Sequence, residues 1–127
     1  MGSQYFDKAI LKAMLLRIRE AVVSLLDWNK EVNSVDDWLM SSHGMQNLAA
    51  NCMMIEAIGE IVGKIEKYAG IEFLNQCDNI PWLEIKSMRN HIAHAYFEID
   101  VEYVYNVIKN DLQPLLIAID KLITSIE

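Results

Sequence analysis

Four side chains suited to acid–base and anion chemistry fall within eight consecutive residues of this 127-residue chain. They are Arg89, Asn90, His94 and Tyr96, in the spacing Arg-x4-His-x-Tyr. Arginine offers a rigid fork of donors to a phosphate, and histidine titrates near neutral pH. The group can therefore bind a phosphate and move a proton, and the Tyr96 hydroxyl is available for modification.

This combination suits RNA cleavage without a metal ion. The ribose 2′-hydroxyl attacks the adjacent phosphate and needs a base, the leaving 5′-oxygen needs an acid, and a histidine can serve in either role. Arg89 would stabilise the charge that develops on the phosphoryl oxygens, and Asn90 would orient His94 or donate to the phosphate. DNA lacks the 2′-hydroxyl and is excluded as a substrate of this reaction.

The placement of these residues on a helix limits how they can meet. At about 100° per residue, Asn90 and His94 are i,i+4 neighbours, whereas Arg89 and His94 lie about 140° apart. Arg89 and His94 would converge on a ligand lying across the exposed face, through a bend near Ala93, or in a site completed by a second subunit. The core face of this helix is predicted to carry Ile85, Met88, Ile92 and Ala95.

The other aromatic and imidazole side chains that stand out are predicted to be structural. His91 falls on the edge away from Arg89 and is assigned to the rim of the site. His91 and His94 are three residues apart, but no third ligand is close in sequence, so no metal site is predicted. Trp38 and Trp82 are predicted to anchor the core or an interface.

Apolar periodicity predicts a long first helix over residues 5 to about 32, uninterrupted by Gly or Pro. A short helix over residues 36 to about 41 follows. Ser34 is predicted to cap it, and Asp37 lies in its first turn, where the helix dipole favours negative charge. Gly44 is expected to mark a break before the next helix.

A second long helix is predicted over residues 45–69, stopped by the glycine that follows. Its small residues Ala49 and Gly59 would let a neighbouring helix approach closely. Glu56 and Glu60 form an i,i+4 pair that could bond Arg89 or a lysine across the bundle. A narrow apolar seam, either core or subunit contact, consists of Met45, Leu48, Cys52, Ile55, Gly59 and Val62.

Residues 75–79 are predicted to form a polar loop, after which Pro81 starts the helix that carries the motif. Asp100 should cap the final helix, and Pro114 should kink or divide that helix. The pattern predicts an all-α, antiparallel up-and-down bundle of four main helices plus a short one. One domain over residues 1–127 is expected.

The composition narrows the classes of function. A hydrophobic content of 53% supports one core, and a net charge of -7 argues against a broad basic face for nucleic acid. Cys52 and Cys77 suggest neither a disulfide framework nor a zinc site. No signal peptide or membrane-length apolar run is visible, so a cytoplasmic protein without membrane attachment is expected.

The motif and its surroundings resemble the HEPN superfamily, and within it the HepT-like toxins that are paired with a small nucleotidyltransferase antitoxin. The resemblance is carried by residues 88–96, by Ile80-Pro81-Trp82 before them and by residues 97–100 after them. It extends to residues 55–60 and into the last helix. His91 is an extra histidine relative to the pattern of the family.

The resemblance implies a HEPN-like fold and a homodimeric toxin of a type VII-like HEPN/MNT toxin–antitoxin system. It implies that Arg89 and His94 are the catalytic pair of a metal-independent endoribonuclease, with Asn90 as their polar companion. It also implies that a cognate MntA-like nucleotidyltransferase antitoxin adds AMP to Tyr96. Each AMP would place a phosphodiester charge beside Arg89 and block an RNA phosphate.

Two other functions remain open at this point. The chain could be a non-catalytic helical subunit that binds substrate or nucleotide for a separate nucleotidyltransferase, with Arg89 binding a phosphate without cleavage. It could also be a structural dimerisation bundle. The Arg-x4-His spacing favours the ribonuclease over the structural bundle, whereas the acidic charge balance favours the binding subunit. Substitution of His94 would separate cleavage from binding.

Overall fold

The computed structural model describes residues 6–92 and 99–127 of the chain, and these residues are helical without any β-strand. In chain order the elements are α1 (Lys8–Trp28), α2 (Asp36–Leu39), α3 (Ser42–Ala69), α4 (Ile71–Leu74), a 3-10 turn (Asn75–Cys77), α5 (Trp82–Lys86), α6 (Arg89–Ile92), α7 (Val101–Asn106), a π-helical turn (Val107–Asp111) and α8 (Leu112–Ile126). The predicted all-α fold is confirmed. Within these two ranges, no helix combines the length and the apolar character needed to cross a membrane.

The core is built around α1, which packs against both α3 and α8. Asp7 caps α1, because its carboxylate accepts a hydrogen bond from the backbone N–H of Ala9 at 2.8 Å. The helix ends at Trp28, a turn earlier than predicted. Its buried face carries the predicted apolar stripe of Leu11, Leu15, Ile18, Val22 and Leu25.

The early end of α1 coincides with a buried polar network that the sequence did not reveal. Asn29 and Asn51 are almost fully buried, and their side-chain amides exchange hydrogen bonds of 2.8 and 3.0 Å. The Oδ1 of Asn29 also accepts from the indole N–H of Trp38 at 3.1 Å. This network joins α1, α2 and α3, and it confirms Trp38 as a core residue with its polar atom satisfied.

The expected break at Gly44 is wrong, because Gly44 lies inside the first turn of α3. That helix is capped by Ser41, whose hydroxyl accepts from the Gly44 N–H at 2.9 Å. A Cβ atom at Gly44 would lie 2.8 Å from the carbonyl oxygen of Trp38 and still closer to that of Asp37. The glycine is therefore required for the close packing of α2 against α3, and not for a change of direction.

The predicted Ser34 cap of α2 is also wrong. The N-cap position is occupied by Val35, which makes no side-chain capping bond. Instead, the carboxylate of Asp37 reaches back and accepts from the backbone N–H groups of Asn33 at 2.7 Å and Ser34 at 3.3 Å. An ionised acceptor binds these amides more strongly than a hydroxyl does, which explains why Asp37 rather than Ser34 organises this turn.

The segment before the motif contains more structure than the predicted polar loop. Its 3-10 turn buries Cys77, whose carbonyl oxygen accepts from the indole N–H of Trp82 at 3.0 Å. Pro81 precedes α5, as predicted, because proline needs no hydrogen-bond partner for a backbone N–H there. Trp82 is buried, which confirms it as a core anchor.

The single motif helix predicted from Pro81 is instead divided at residues 87–88 into α5 and α6. The N–H of Ser87 donates to the carbonyl of Glu84 at 3.1 Å, and that of Met88 donates to Ile85 at 3.2 Å. Each of these bonds joins a residue to the one three positions earlier, as in a 3-10 helix, and not four positions earlier. The tighter turn ends the α-helical pattern. The predicted core face is confirmed for Ile85, Met88 and Ile92, which are buried.

The last helix begins and divides as predicted. The carboxylate of Asp100 caps α7 by accepting from the N–H of Tyr103 at 3.0 Å. The π-helical turn separates α7 from α8 and lies just before Pro114, in the first turn of α8. Proline has no N–H to donate to the carbonyl four residues earlier, so a widened turn at this point accommodates it.

Candidate active site

The helix α6 carries the first part of the motif, and the side chains of Arg89, Asn90 and His91 are exposed on it. The predicted residues that lie outside the described part of the chain are Ala93, His94, Ala95 and Tyr96. The contact between Asn90 and His94, the approach of Arg89 to His94, and the role of Tyr96 therefore stay predictions. Among the described residues, Glu56 lies beside Arg89.

Arg89 is paired with a carboxylate from the neighbouring long helix. Its Nε atom lies 3.8 Å from Oε1 of Glu56 on α3. The Arg89 side chain is 73% exposed, whereas that of Glu56 is 33% exposed. This pairing confirms that Glu56 meets Arg89 across the bundle, and it leaves the guanidinium accessible to an anion from solvent.

Two further contacts fix α5 on α3 beside this pair. Lys86 donates to Glu66 at 2.6 Å, in an ion pair that is about two-thirds buried on each side. At Gly59 a Cβ atom would lie 2.8 Å from the carbonyl oxygen of Ile85, so the backbone of α5 rests directly on α3. The close helix approach predicted at Gly59 is therefore confirmed. Because α6 comes directly after α5 in the chain, this contact also holds α6 and Arg89 near α3.

His91 packs against α7 and does not point into the core. Its ring is stacked on that of Tyr103, with 5.1 Å between ring centroids and 25° between ring planes. His91 is exposed, and Tyr103 is partly buried. The prediction that His91 lies on the edge of the helix away from Arg89 is confirmed, while its aromatic partner was not anticipated.

A cavity of about 180 Å³ lies next to Tyr103, between α5 and the junction of α7 with α8. Glu84 and Asp111 both line it. Burial and the nearby Glu84 raise the pKa of Asp111 above its usual value. Burial and the carboxylates of Asp111, Glu84 and Asp100 raise the pKa of Tyr103. The surface on this side of α6 therefore carries two carboxylates, whereas on the other side the carboxylate of Glu56 is paired with Arg89.

Sequence reasoning did not single out Tyr103, Glu84 or Asp111. One signal was present, because Tyr103 and Asp111 are eight residues apart and would share a face on a helix. Glu84, however, comes from a different element. Its proximity to Asp111 depends on how α5 packs against the π-helical turn, which no local spacing reveals.

A wide apolar groove of about 810 Å³ adjoins Glu56 and Glu60 on α3. Its wall includes Met45 and Met53, which are 55% and 65% exposed. The predicted seam on this helix therefore separates into two parts. Leu48, Cys52, Ile55, Gly59 and Val62 are buried in the core, while Met45 lies on the surface.

Cys52 lies at the floor of this groove and is buried. Burial, with a smaller effect of the Glu56 charge, raises the pKa of its thiol to about 11. The thiol is therefore protonated at neutral pH and behaves as a small apolar group, not as a nucleophile. Among residues 6–92 and 99–127, no three His, Cys, Asp or Glu side chains are grouped so that they could hold a metal ion.

Comparisons with known proteins match this chain to ribonucleases. A sequence model of the family described as "Ribonuclease HepT-like" matches residues 11–122. "Putative RNase MJ1380" of Methanocaldococcus jannaschii is 27% identical over 84% of this chain and 90% of its own length. "Probable ribonuclease HepT" of Thermococcus cleftensis is 35% identical over 50% of this chain and 57% of its own length. No solved structure matches. The matched range covers most of the chain, including all of the motif, and the chain belongs to the HepT-like ribonuclease family of the HEPN superfamily.

Proposed function

We propose that this protein is the toxin of a HEPN/MNT toxin–antitoxin pair and cleaves RNA without a metal ion. The observation that carries the proposal is the exposed Arg89 at the start of α6, held beside Glu56 in a chain of the HepT-like ribonuclease family. A cation in this position can bind a phosphate from solvent. His94 supplies the acid–base function, and Asn90 orients His94 or binds the phosphate.

The proposed reaction is an internal transfer of the phosphoryl group. The ribose 2′-oxygen loses its proton to a base and attacks the adjacent phosphorus, while the bond from phosphorus to the 5′-oxygen breaks. The 5′-oxygen receives a proton, so the products are a 2′,3′-cyclic phosphate and a 5′-hydroxyl. Arg89 stabilises the charge on the non-bridging oxygens, and His94 transfers a proton at one of the two ends.

The first test is cleavage of single-stranded RNA by purified protein in the presence of a chelator. Arg89→Ala and His94→Ala are expected to lower the cleavage rate by at least about 100-fold, the scale of one acid–base or charge-stabilising group. An RNA with a 2′-deoxy nucleotide at the mapped site should resist cleavage. Full activity of both variants would contradict the proposed mechanism.

We also propose a homodimer in which α3 contributes to the contact between subunits. The support is the groove beside Glu56, whose exposed methionines Met45 and Met53 place apolar surface next to the motif. A two-fold contact here brings two copies of α6 toward one cleft. Light scattering should give a dimer mass for the wild type, and Met53→Glu should shift it toward the monomer with a loss of cleavage. A wild-type monomer at micromolar concentration would overturn this part.

Regulation is proposed to act through Tyr96. A cognate MntA-like nucleotidyltransferase would attach AMP to its hydroxyl, with pyrophosphate leaving from ATP. The added phosphodiester charge would occupy Arg89 and exclude an RNA phosphate. Intact mass after incubation with the partner and ATP should rise in units of AMP, and Tyr96→Phe should abolish the rise. A folded, bound partner that adds no mass would contradict this mode of neutralisation.

The alternative is a non-catalytic subunit that binds substrate or nucleotide for a separate nucleotidyltransferase. The net charge of -7 and the acidic side of α6 near Asp111 favour it, because they oppose binding to long RNA. In that case His94→Ala would leave nucleotide binding unchanged, and the wild type would cleave no RNA. Arg89→Ala would weaken binding under either function.

A further inference from the structure

The His91 imidazole is exposed and lies on the same short helix as Arg89, the proposed phosphate-binding residue, two residues further along the chain. Its ring lies against Tyr103, at 5.1 Å between centroids and nearly parallel. Tyr103 is in turn fixed at the start of α7, where its N–H donates to the capping carboxylate of Asp100. The imidazole is therefore supported from behind by a ring that is itself held in place.

His91 and Arg89 lie on the same short helix but on different sides of it. Arg89 meets Glu56 on α3, whereas His91 meets Tyr103 on α7. Two residues rise only about 3 Å along a helix that is about 10–12 Å wide with its side chains. An RNA strand that crosses α6 can thus contact both side chains with neighbouring nucleotides.

The charges on the two sides of α6 indicate which part of a nucleotide each would bind. The side with Tyr103 carries Glu84 and Asp111, which line the adjoining cavity. Burial, and then the charge of Glu84, raises the pKa of Asp111, so further negative charge is unfavourable beside these two carboxylates. A phosphate is repelled from this side, whereas on the other side it can bind Arg89 in place of the Glu56 carboxylate. The part of a nucleotide left for the His91 side is its uncharged base.

We propose that the imidazole of His91, supported by Tyr103, stacks on a nucleobase of single-stranded RNA next to the phosphate bound at Arg89. This inference rests on the proposed ribonuclease activity and adds a substrate-binding residue to it. Stacking accepts any base because every base has an aromatic face, so the ligand class is unpaired RNA and not one sequence. Bases in a duplex are already stacked and would be excluded.

The test combines protein variants with altered substrates. A short single-stranded RNA with a mapped cleavage site is compared with versions that lack the base on one side of that site. Binding is measured on 2′-deoxy analogues that cannot be cleaved, and cleavage on the corresponding ribonucleotides. His91→Ala removes the ring, His91→Phe keeps a ring without a titrating nitrogen, and His43→Ala removes an exposed histidine on the distant start of α3.

His91→Ala is expected to weaken binding of the complete oligonucleotide by about 5- to 100-fold, the range found for one stacked base. For the oligonucleotide that lacks the base proposed to stack on His91, His91→Ala and the wild type should bind with equal affinity. His91→Phe should retain at least half of the wild-type affinity and kcat, and His43→Ala should match the wild type. Thermal unfolding of each variant shows whether the fold is preserved.

Three outcomes would count against the inference in different ways. If His91→Ala binds like the wild type, or remains as sensitive to the missing base, no stacking takes place at His91. If His91→Phe binds normally but loses kcat, His91 transfers a proton and is not a stacking platform. If the wild type binds and cleaves no RNA, the proposed function fails first, and this inference with it.

Discussion

Nε of Arg89 lies 3.8 Å from Oε1 of Glu56, so the proposed phosphate-binding group of α6 already has a carboxylate of α3 beside it. Exposed ion pairs of this kind contribute about 1 kcal/mol or less to stability, because water screens both charges. The pair therefore orients Arg89 without locking it. An RNA phosphate, which accepts hydrogen bonds from two guanidinium nitrogens, can replace the carboxylate.

Glu56→Gln is expected to strengthen RNA binding. The substitution keeps the shape of the side chain but removes a negative charge next to the phosphate site. The dissociation constant for a non-cleavable RNA should fall by about 2- to 10-fold at low salt, and the difference should shrink as salt rises. The free energy of unfolding should change by less than about 1 kcal/mol.

The matched control is Glu20→Gln, which gives the same net charge but changes an exposed residue of α1. It should have a much smaller effect on RNA binding. If both variants bind RNA equally well, the gain comes from total charge and not from the contact with Arg89. Weaker binding by Glu56→Gln would show that Glu56 positions Arg89 for the phosphate and does not compete with it.

Two glycines of α3 face the motif segment and should respond to alanine in opposite ways. A Cβ at Gly59 would lie 2.8 Å from the backbone oxygen of Ile85, so Gly59→Ala must push α5 away. It is expected to destabilise the protein by about 1–3 kcal/mol and to lower cleavage. A Cβ at Gly63 would meet only the side chain of Lys86, at 3.5 Å. Gly63→Ala should therefore stabilise the helix by up to about 1 kcal/mol.

Denaturant unfolding of both variants, together with RNA cleavage, checks this prediction. The two changes are chemically identical and lie one helical turn apart, so any general effect of alanine is the same for both. Equal stabilisation by Gly59→Ala and Gly63→Ala would show that α5 does not rest on Gly59 as closely as described.

The sequence predicted the parts of the fold that depend on local periodicity and capping. The stripe of α1, the Asp100 cap and the division before Pro114 all arise from spacing within one segment, and all are observed. One local prediction, the Ser34 cap, was wrong because the Asp37 carboxylate binds the backbone N–H groups of that turn instead. Other errors occurred where two segments meet. The helix break predicted at Gly44 is wrong because the contact of Gly44 with α2 is not visible in the local sequence.

The same distinction applies to the candidate site. The sequence allows Glu56 to pair either with Arg89 or with a lysine, and only the packing of α6 on α3 decides between these two partners. The division between α5 and α6 was missed because apolar spacing continues through it at Ile85 and Met88. Tyr103 was not singled out, because its contact with His91 joins two separate elements.

Substitution of either asparagine in the buried pair Asn29–Asn51 should destabilise the protein more than most other polar substitutions. Asn51→Ala removes the group that exchanges two hydrogen bonds with Asn29 and leaves polar atoms of Asn29 buried without that partner. A loss of about 2–4 kcal/mol in the free energy of unfolding is expected. Asn47→Ala, which removes a 3.1 Å bond to the same oxygen from a partly exposed position, should cost less than about 1 kcal/mol.

Denaturant titrations of the two alanine variants supply the comparison. A loss below about 1 kcal/mol for Asn51→Ala would mean that water satisfies the exposed polar atoms of Asn29. Retained RNA cleavage at temperatures well below unfolding is expected for both variants, since neither residue lies on α6.

The acidic pair beside Tyr103 should make stability depend on pH. The pKa of Asp111 is raised above its usual value of 3.8, first by burial and then by the charge of Glu84. The folded state therefore holds this proton more tightly than the unfolded chain, and the free energy of unfolding falls as pH rises from 3.8 through the raised pKa. At neutral pH the ionised carboxylate opposes folding.

Asp111→Asn should accordingly be slightly more stable than the wild type at about pH 7, and this gain should disappear at about pH 3, where Asp111 is protonated in both states. Denaturant unfolding at several pH values measures the difference. Glu84→Gln removes one cause of the raised pKa, so it should act in the same direction, and the double variant should gain less than the sum of the two. A variant Asp111→Asn that is less stable than the wild type at neutral pH would show that the carboxylate accepts a stabilising hydrogen bond there, and the repulsion from Glu84 would then be the minor effect.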